Sequence, residues 1–269
     1  MKKMILVLAA TLICGACFFT SCKKDKDKDK DNTDLNLKEN IIGKWMTADI
    51  DGRPALTNEK SVTTFVSATK AYYSSSRTTR PEVESMWNDQ LEADVAISGN
   101  KVTLTMHSDE HTTSVEEYII TNINDSELTA NHKVTITVDG NATYSAEDVL
   151  RLTKITADYK QDILGTWEGH CTSAGSVFDD GKEHRWKYKA DGTYVYYVKD
   201  GDNWVSGDNT LNEYFVDGKL LCTRWIDNGV DNREWWEISI NGNHMNWTAL
   251  RQNDDGTTFT ATFEMEKVN

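Results

Sequence analysis

Eight residues near the start of the chain return in its second half: "KENIIGKW" at 38–45 becomes "KQDILGTW" at 160–167. Other landmarks follow in the same order. "VAISGNKVTLT" (95–105) aligns with "YFVDGKLLCTR" (214–224), and "VEEYIITN" (115–122) with "REWWEISI" (233–240). Both copies close on a basic, hydrophobic run, "VLRLTKI" (149–155) and "ATFEMEKV" (261–268). Conserved order with drifting offsets means one scaffold used twice, with loops of different length. A chain of 269 residues has room for two such domains. They are predicted over 35–157 and 158–269.

Within each copy the apolar period is two, the signature of a half-buried strand. Val102, Leu104 and Met106 share one face, with Thr103 and Thr105 on the other. Phe259, Ala261, Phe263 and Met265 alternate with polar residues in the same way. Turn dipeptides such as Asp191-Gly192, Asp217-Gly218 and Asn241-Gly242 separate the runs and supply the positive φ of tight hairpins. Short strands joined this way form an antiparallel meander, and about eight of them remove their edges by closing. A sandwich would need longer crossovers. The predicted fold is all-β: two tandem antiparallel up-and-down β-barrels.

"LKEN" and "YKQD" read as one helical turn across the lower end of each barrel. Gly43 and Gly165 then allow close backbone approach, and Trp45 and Trp167 plug the barrel floor. A Gly-x-Trp on the first strand resembles the lipocalin signature, and the chain is most similar to the lipocalin-like domains of Bacteroidota lipoproteins. The resemblance implies a calycin-like barrel in which that Trp packs beneath a basic residue of the last strand. Arg151 or Lys154 would serve in the first copy and Lys267 in the second.

The N-terminus begins with Lys2-Lys3 and continues into the apolar "MILVLAATLICGACFF". It reads as a secretory signal peptide over 1–21. "FFTSC" resembles a bacterial lipoprotein signal, which implies lipidation of Cys22 by a palmitate-type chain; Cys17 is the rival acceptor. "CKKDKDKDKDNTD" (22–34) has nothing to bury and should form a disordered tether. The resemblance implies anchoring in the outer membrane, facing either the periplasm or the cell surface.

The mature chain is acidic throughout, with net charge −7 over 35–157 and −9 over 158–269. Such a surface repels phosphate backbones and argues against a nucleic-acid partner. Two cysteines lie outside the signal and lipidation sites, Cys171 and Cys222. An oxidising compartment permits a disulfide between them, worth about 4 kcal/mol for the loop it would close. Two separate buried thiols fit the sequence equally well.

Seven of the nine tryptophans fall in the second copy. Strand periodicity points Trp186, Tyr188, Tyr194, Tyr196, Trp236 and Trp247 to the interior, as core or as candidate ligand contacts. An eight-stranded barrel is just wide enough for either. Trp204, Trp225 and Trp235 point outward, where they could stack on sugar rings. No hydrolase elbow, metalloprotease helix or phosphate loop occurs, so no enzyme activity and no cofactor are expected. His107 and His111 read as solvated hairpin residues rather than metal ligands, and "DGDNWVSGDN" (200–209) as a polar turn rather than a calcium loop. The expectation is an envelope binding protein holding a small hydrophobic or amphipathic ligand in a barrel mouth. The alternative is a solid-barrel protein that docks a glycan or a protein through surface aromatics. Oligomeric state is not legible.

Overall fold

The computed structural model describes residues 36–75, 90–207 and 211–268. The signal peptide, Cys22 and the charged tether lie outside the described residues. A four-residue helix, α1 (Leu37–Asn40), precedes the first sheet. That sheet contains β1 (Gly43–Ile50), β2 (Arg53–Pro54), β3 (Ser61–Ser67), β4 (Lys70–Ser75), β5 (Leu91–Ser98), β6 (Lys101–His107), β7 (Thr112–Ile123), β8 (Glu127–Val138) and β9 (Asn141–Ile155). The second contains β10 (Gly165–Cys171), β11 (His184–Tyr188), β12 (Tyr194–Asp200), β13 (Asn203–Ser206), β14 (Leu211–Asp217), β15 (Leu220–Asp227), β16 (Val230–Asn241), β17 (His244–Gln252) and β18 (Thr258–Val268).

In the first sheet β1 pairs with β3, each strand from β3 to β9 pairs with the next in an antiparallel meander, and β1 pairs with β9 to complete an eight-stranded closed barrel. The short β2 hangs off β1 outside that ring. Closure leaves no long edge strand to template aggregation. The core comes from the inward set of each strand: Trp45, Ala93, Val95, Leu104, Ile120, Ala130 and Leu152 are all buried.

The second sheet repeats the order but curls without closing along its length. This departs from the closed barrel that the repeat predicts. The reason is an insertion: β13 pairs with the upper half of β12, from Tyr197↔Ser206 to Asp200↔Asn203. That is the edge β14 would need. Among the described residues the two ends of the sheet meet at the lower turn, through the Thr193↔Glu213 bridge, the 2.8 Å bond from Tyr214 N–H to the Gly192 carbonyl and the 2.7 Å bond from the Tyr214 hydroxyl to the Lys189 carbonyl.

Both barrels belong to one compact unit, and they pack wall to wall. Met46, Val62 and Ile155 of the first meet Leu220 and Cys222 of the second, with Phe215 and Trp235 alongside. Lys44 and Gln90 both bond Asp217 across this junction. Glu237 receives Lys60 at 2.7 Å and Lys219 at 2.8 Å. Burial raises the Glu237 carboxyl, but the two ammonium groups outweigh it and hold its pKa down. Gly218 lets the β14–β15 turn approach Ile155 and Lys44 so closely that a Cβ there would stand 3.0 Å from the Ile155 side chain.

Candidate functional site

The floors of the two barrels share one construction. Trp45 Nε1 donates to the Ile41 carbonyl at 2.7 Å, and Trp167 Nε1 to the Ile163 carbonyl at 2.7 Å. Both indoles are fully buried. Lys154 lies over Trp45 and Lys267 over Trp167. Gly43 (φ +130°) and Gly165 (φ +118°) leave room for these lysine stems. Arg151 takes no part in the floor; it pairs with Asp49 and Glu127. The hollow beside Trp45 inside the first barrel measures about 10 Å³, room for at most one water.

In the second barrel the predicted aromatics all face inward. Trp186, Tyr188, Tyr194, Trp236 and Trp247 are buried, and Tyr196 packs beside them. Their ring centres stand 4.7 Å (Trp186–Trp247), 5.2 Å (Trp186–Tyr196) and 5.4 Å (Trp236–Trp247) apart, with Phe263 edge-on to Trp186 and Trp236. These are packed-core separations. The six side chains therefore fill the lower interior with one another. Burial pushes the phenols of Tyr196 and Tyr214 up to about 12.

At the upper end of this barrel the inward set turns polar. Arg251 follows Trp247 on the inner face of β17, and Glu234 precedes Trp236 on β16. The guanidinium carbon of Arg251 is 4.8 Å from the ring centres of both Phe178 and Trp236. Its Nη2 is 3.8 Å from Glu234 Oε1, too far for a hydrogen bond. Burial lowers the Arg251 pKa and raises that of Glu234, so each charge is incompletely compensated. Nearby, His184 bridges the Tyr196 hydroxyl (2.7 Å) and Asp180 (3.0 Å).

A roomier space lies outside both interiors. A cleft of about 540 Å³ opens where the connection between the barrels passes the lower turn of the second. Lys44, Tyr72 and Gln90 line it from the first barrel, Lys160 and Gln161 from the connection, and Tyr214 and Phe215 from β14. Asp158 and Asp217 line it too, so its wall mixes amides, ammonium groups and carboxylates with three aromatic rings.

No protein-family model matches the chain. No curated protein matches it. Among solved structures it is similar to a protein of unknown function from Nostoc punctiforme, at 10% identity over 88% of this chain and 100% of that one, with a TM-score of 0.24. A putative outer membrane protein from Bacteroides fragilis gives 12% identity over 87% and 100%, with a TM-score of 0.22. A tryptophan-to-alanine mutant of transferrin binding protein B from Haemophilus parasuis gives 10% identity over 84% of this chain and 63% of that one, with a TM-score of 0.25. Superpositions this loose carry nothing about what the present chain binds or where it resides. The barrel fold rests on the strand pairings themselves.

The outward tryptophans do not form one patch. Trp235 is packed into the junction between the barrels. Trp204 lies under Arg185, whose guanidinium carbon is 4.1 Å from its ring centre, with Lys199 at 5.7 Å. Trp225 is half-buried on β15. The permitted disulfide is absent: Cys171 and Cys222 are both free. They sit on opposite sides of the sheet wall, Cys171 against the second barrel's core beside Ser173 and Ser176, and Cys222 in the junction. His107 bonds Thr113, and His111 contacts Asp139 and Glu110.

Sequence reasoning missed Arg251 and Glu234, although the alternation that placed Trp247 and Trp236 inward also places these two inward. It missed a second inward polar group in the first barrel for the same reason. There Tyr118 donates to Glu116, and His132 lies 3.0 Å from Asp148 and 3.7 Å from Glu116.

Proposed function

We propose that this chain is a lipid-anchored, non-catalytic binding protein of the cell envelope whose ligand, a small glycan, occupies the cleft between the two barrels. The observation that carries this reading is the contrast in space: about 540 Å³ in the cleft against about 10 Å³ beside Trp45. Packed aromatics in the second barrel argue against the deep hydrophobic pocket expected from its tryptophans. Sugar rings present an apolar face and a hydroxyl edge. Tyr72 and Phe215 offer aromatic surface for the one, and Gln90, Gln161 and Lys160 offer hydrogen-bonding groups for the other.

Native mass spectrometry of the full chain with a mixture of oligosaccharides, fatty acids, bile acids and haem tests this reading. A stoichiometric oligosaccharide adduct is expected, and Ala190→Trp should abolish it, since Ala190 is an exposed residue on the cleft wall and the larger side chain would fill the space. An adduct with a fatty acid or haem alone, or one indifferent to Ala190→Trp, would move the site elsewhere. The anchor rests on the "FFTSC" stretch, and location in the outer membrane follows from the same resemblance. Labelling cells with a palmitate analogue should mark the wild-type chain and not Cys22→Ser; labelling of both would remove the anchor from the reading.

A further inference from the structure

In the upper end of the second barrel, one edge of a guanidinium is offered to nothing in the protein. Arg251 Nε and Nη2 both lie beyond the reach of solvent and lack a hydrogen-bond partner. These two nitrogens form the side-on fork of the guanidinium, the edge that matches the two oxygens of a carboxylate. The flat faces are already covered, since Phe178 and Trp236 each stand 4.8 Å from the guanidinium carbon. What remains unpaired is the edge of the group; it is shut off from solvent while Phe178 lies over it, so an acceptor reaches it only when that ring moves aside.

Glu234 does not supply that acceptor. Its Oε1 stays 3.8 Å from Nη2, and its Oε2 takes the indole N–H of Trp236 at 3.3 Å. A further donor lies on the same inward face of β17: Trp247 Nε1, in a side chain 2% exposed, has no partner either. Unmet donors in a native interior call for a bound group. The Tyr188 hydroxyl in the same core is unpaired as well, but the groups on the inner face of β17 are all N–H, so the partner missing there is an oxygen acceptor, and the fork favours one with two oxygens in a plane.

We infer that the mouth of the second barrel is an oxyanion site, in which the Nε–Nη2 edge of Arg251 grips the carboxylate of a small ligand beneath the ring of Phe178. Phe178 belongs to the 172–183 loop, which is tied to the barrel at its start by the Ser173 hydroxyl accepting from Thr262 N–H at 3.1 Å. At its far end Asp180 bonds His184 at 3.0 Å and the Glu183 carbonyl accepts from Lys199 N–H at 2.9 Å, while the middle of the loop, which carries Phe178, bonds to itself, as in Gly175 N–H to Asp179 at 2.9 Å. The site is separate from the cleft between the barrels.

Two probes of one shape test it: benzoate, and the uncharged benzamide. The full chain is labelled for nitrogen NMR, and the Arg251 Nε–H and Trp247 indole resonances are followed. Benzoate should shift the Arg251 resonance saturably and benzamide should not. Arg251→Lys, which keeps the charge but loses the fork, should weaken benzoate at least about tenfold. No saturable shift by about 10 mM benzoate, an equal response to benzamide, or unchanged affinity in Arg251→Lys would each overturn the inference. The benzoate and benzamide comparison needs no variant, so a misfolded Arg251→Lys does not decide the outcome. Ala190→Trp should leave benzoate binding unchanged; its loss there would place the carboxylate in the cleft instead and overturn the assignment to Arg251.

Discussion

Lys267 holds its ammonium 5.0 Å from the ring centre of Trp167, and the two residues sit directly opposite each other on β18 and β10. Lys154 and Trp45 repeat the relationship at 5.1 Å on β9 and β1. In each barrel one indole closes the floor through three contacts at once. Its N–H satisfies a carbonyl at the end of the preceding turn, its ring fills the base of the core, and its face carries the last strand's cation. The glycine two residues earlier is part of the same unit, because its missing side chain is where the lysine stem passes.

Substituting that glycine tests the unit. A Cβ at Gly165 would stand 2.9 Å from Lys267 Cε, at a φ of +118° that side chains avoid. Gly165→Ala should cost about 1–3 kcal/mol in urea unfolding. Lys267→Met should cost about 1 kcal/mol through the lost cation–π contact and the lost hydrogen bond from its ammonium to the Asp162 carbonyl. If the clash matters, Gly165→Ala will cost less in a Lys267→Ala background than alone. An unchanged cost in that background would assign the whole effect to backbone strain.

The turn, glycine and tryptophan of this unit were legible in the sequence because they lie within eight residues and recur with their spacing intact; the lysine comes from the distant last strand, and in the first copy the sequence left Arg151 and Lys154 both open. The junction between the barrels was not legible, because its residues belong to outward faces. Met46 is buried next to Trp45 on β1, and Leu220, Leu221, Cys222 and Thr223 are buried in an unbroken run. Alternation assigns half of these to solvent, so a broken period was the available signal that a second wall covers them. The open seam was hidden differently. "DGDNWVSGDN" reads as a polar turn, but the turn is Gly201 and Asp202 alone among its described residues; Asn203–Ser206 form β13, which takes the edge on which closure depends. At the candidate sites, attention to aromatics alone passed over Arg251, Glu234 and the cleft, whose lining comes from three separate stretches of chain.

The first barrel should carry a pH dependence centred on one imidazole. Burial alone would lower the His132 pKa, but hydrogen bonds and charge from Asp148 and Glu116 outweigh it and raise the pKa to about 9. A folded pKa above the unfolded value of about 6.5 means the protonated form is the stabilised one. Its contribution, on the order of 3 kcal/mol at most, is complete below about pH 6.5 and fades as pH rises to about 9. Urea midpoints between these limits should fall in the wild type and fall much less in His132→Gln. A parallel decline in both would remove His132 as the cause.

Trp235 points outward from its own barrel yet is covered by the other. Trp235→Ala should therefore act as a core truncation and cost about 2–4 kcal/mol, where a solvated tryptophan would cost little. Placing a charge in the same junction should uncouple the barrels: Leu220→Asp buries an unpaired carboxylate between Met46 and Val62. Calorimetry is expected to show one transition for the wild type and two for Leu220→Asp. Two transitions in the wild type would mean that the junction adds too little to join the barrels.

The two free cysteines should differ sharply in reactivity. Cys222 is fully buried in the junction, and burial drives its thiol well above the usual range, leaving almost no nucleophilic thiolate. Cys171 is only half-buried and lies against the hydroxyls of Ser173 and Ser176, at the start of the loop that carries Phe178. Iodoacetamide on the native chain should modify Cys171 first and leave Cys222 intact until denaturant is added, with peptide mass spectrometry reading each site. Because the thiols face opposite sides of the wall, oxidation of the folded chain should produce no bond between them. A peptide carrying Cys171 linked to Cys222 after mild oxidation would mean that the wall opens far enough for the thiols to meet. Early alkylation of Cys222 in the native chain would point to the same opening at the junction.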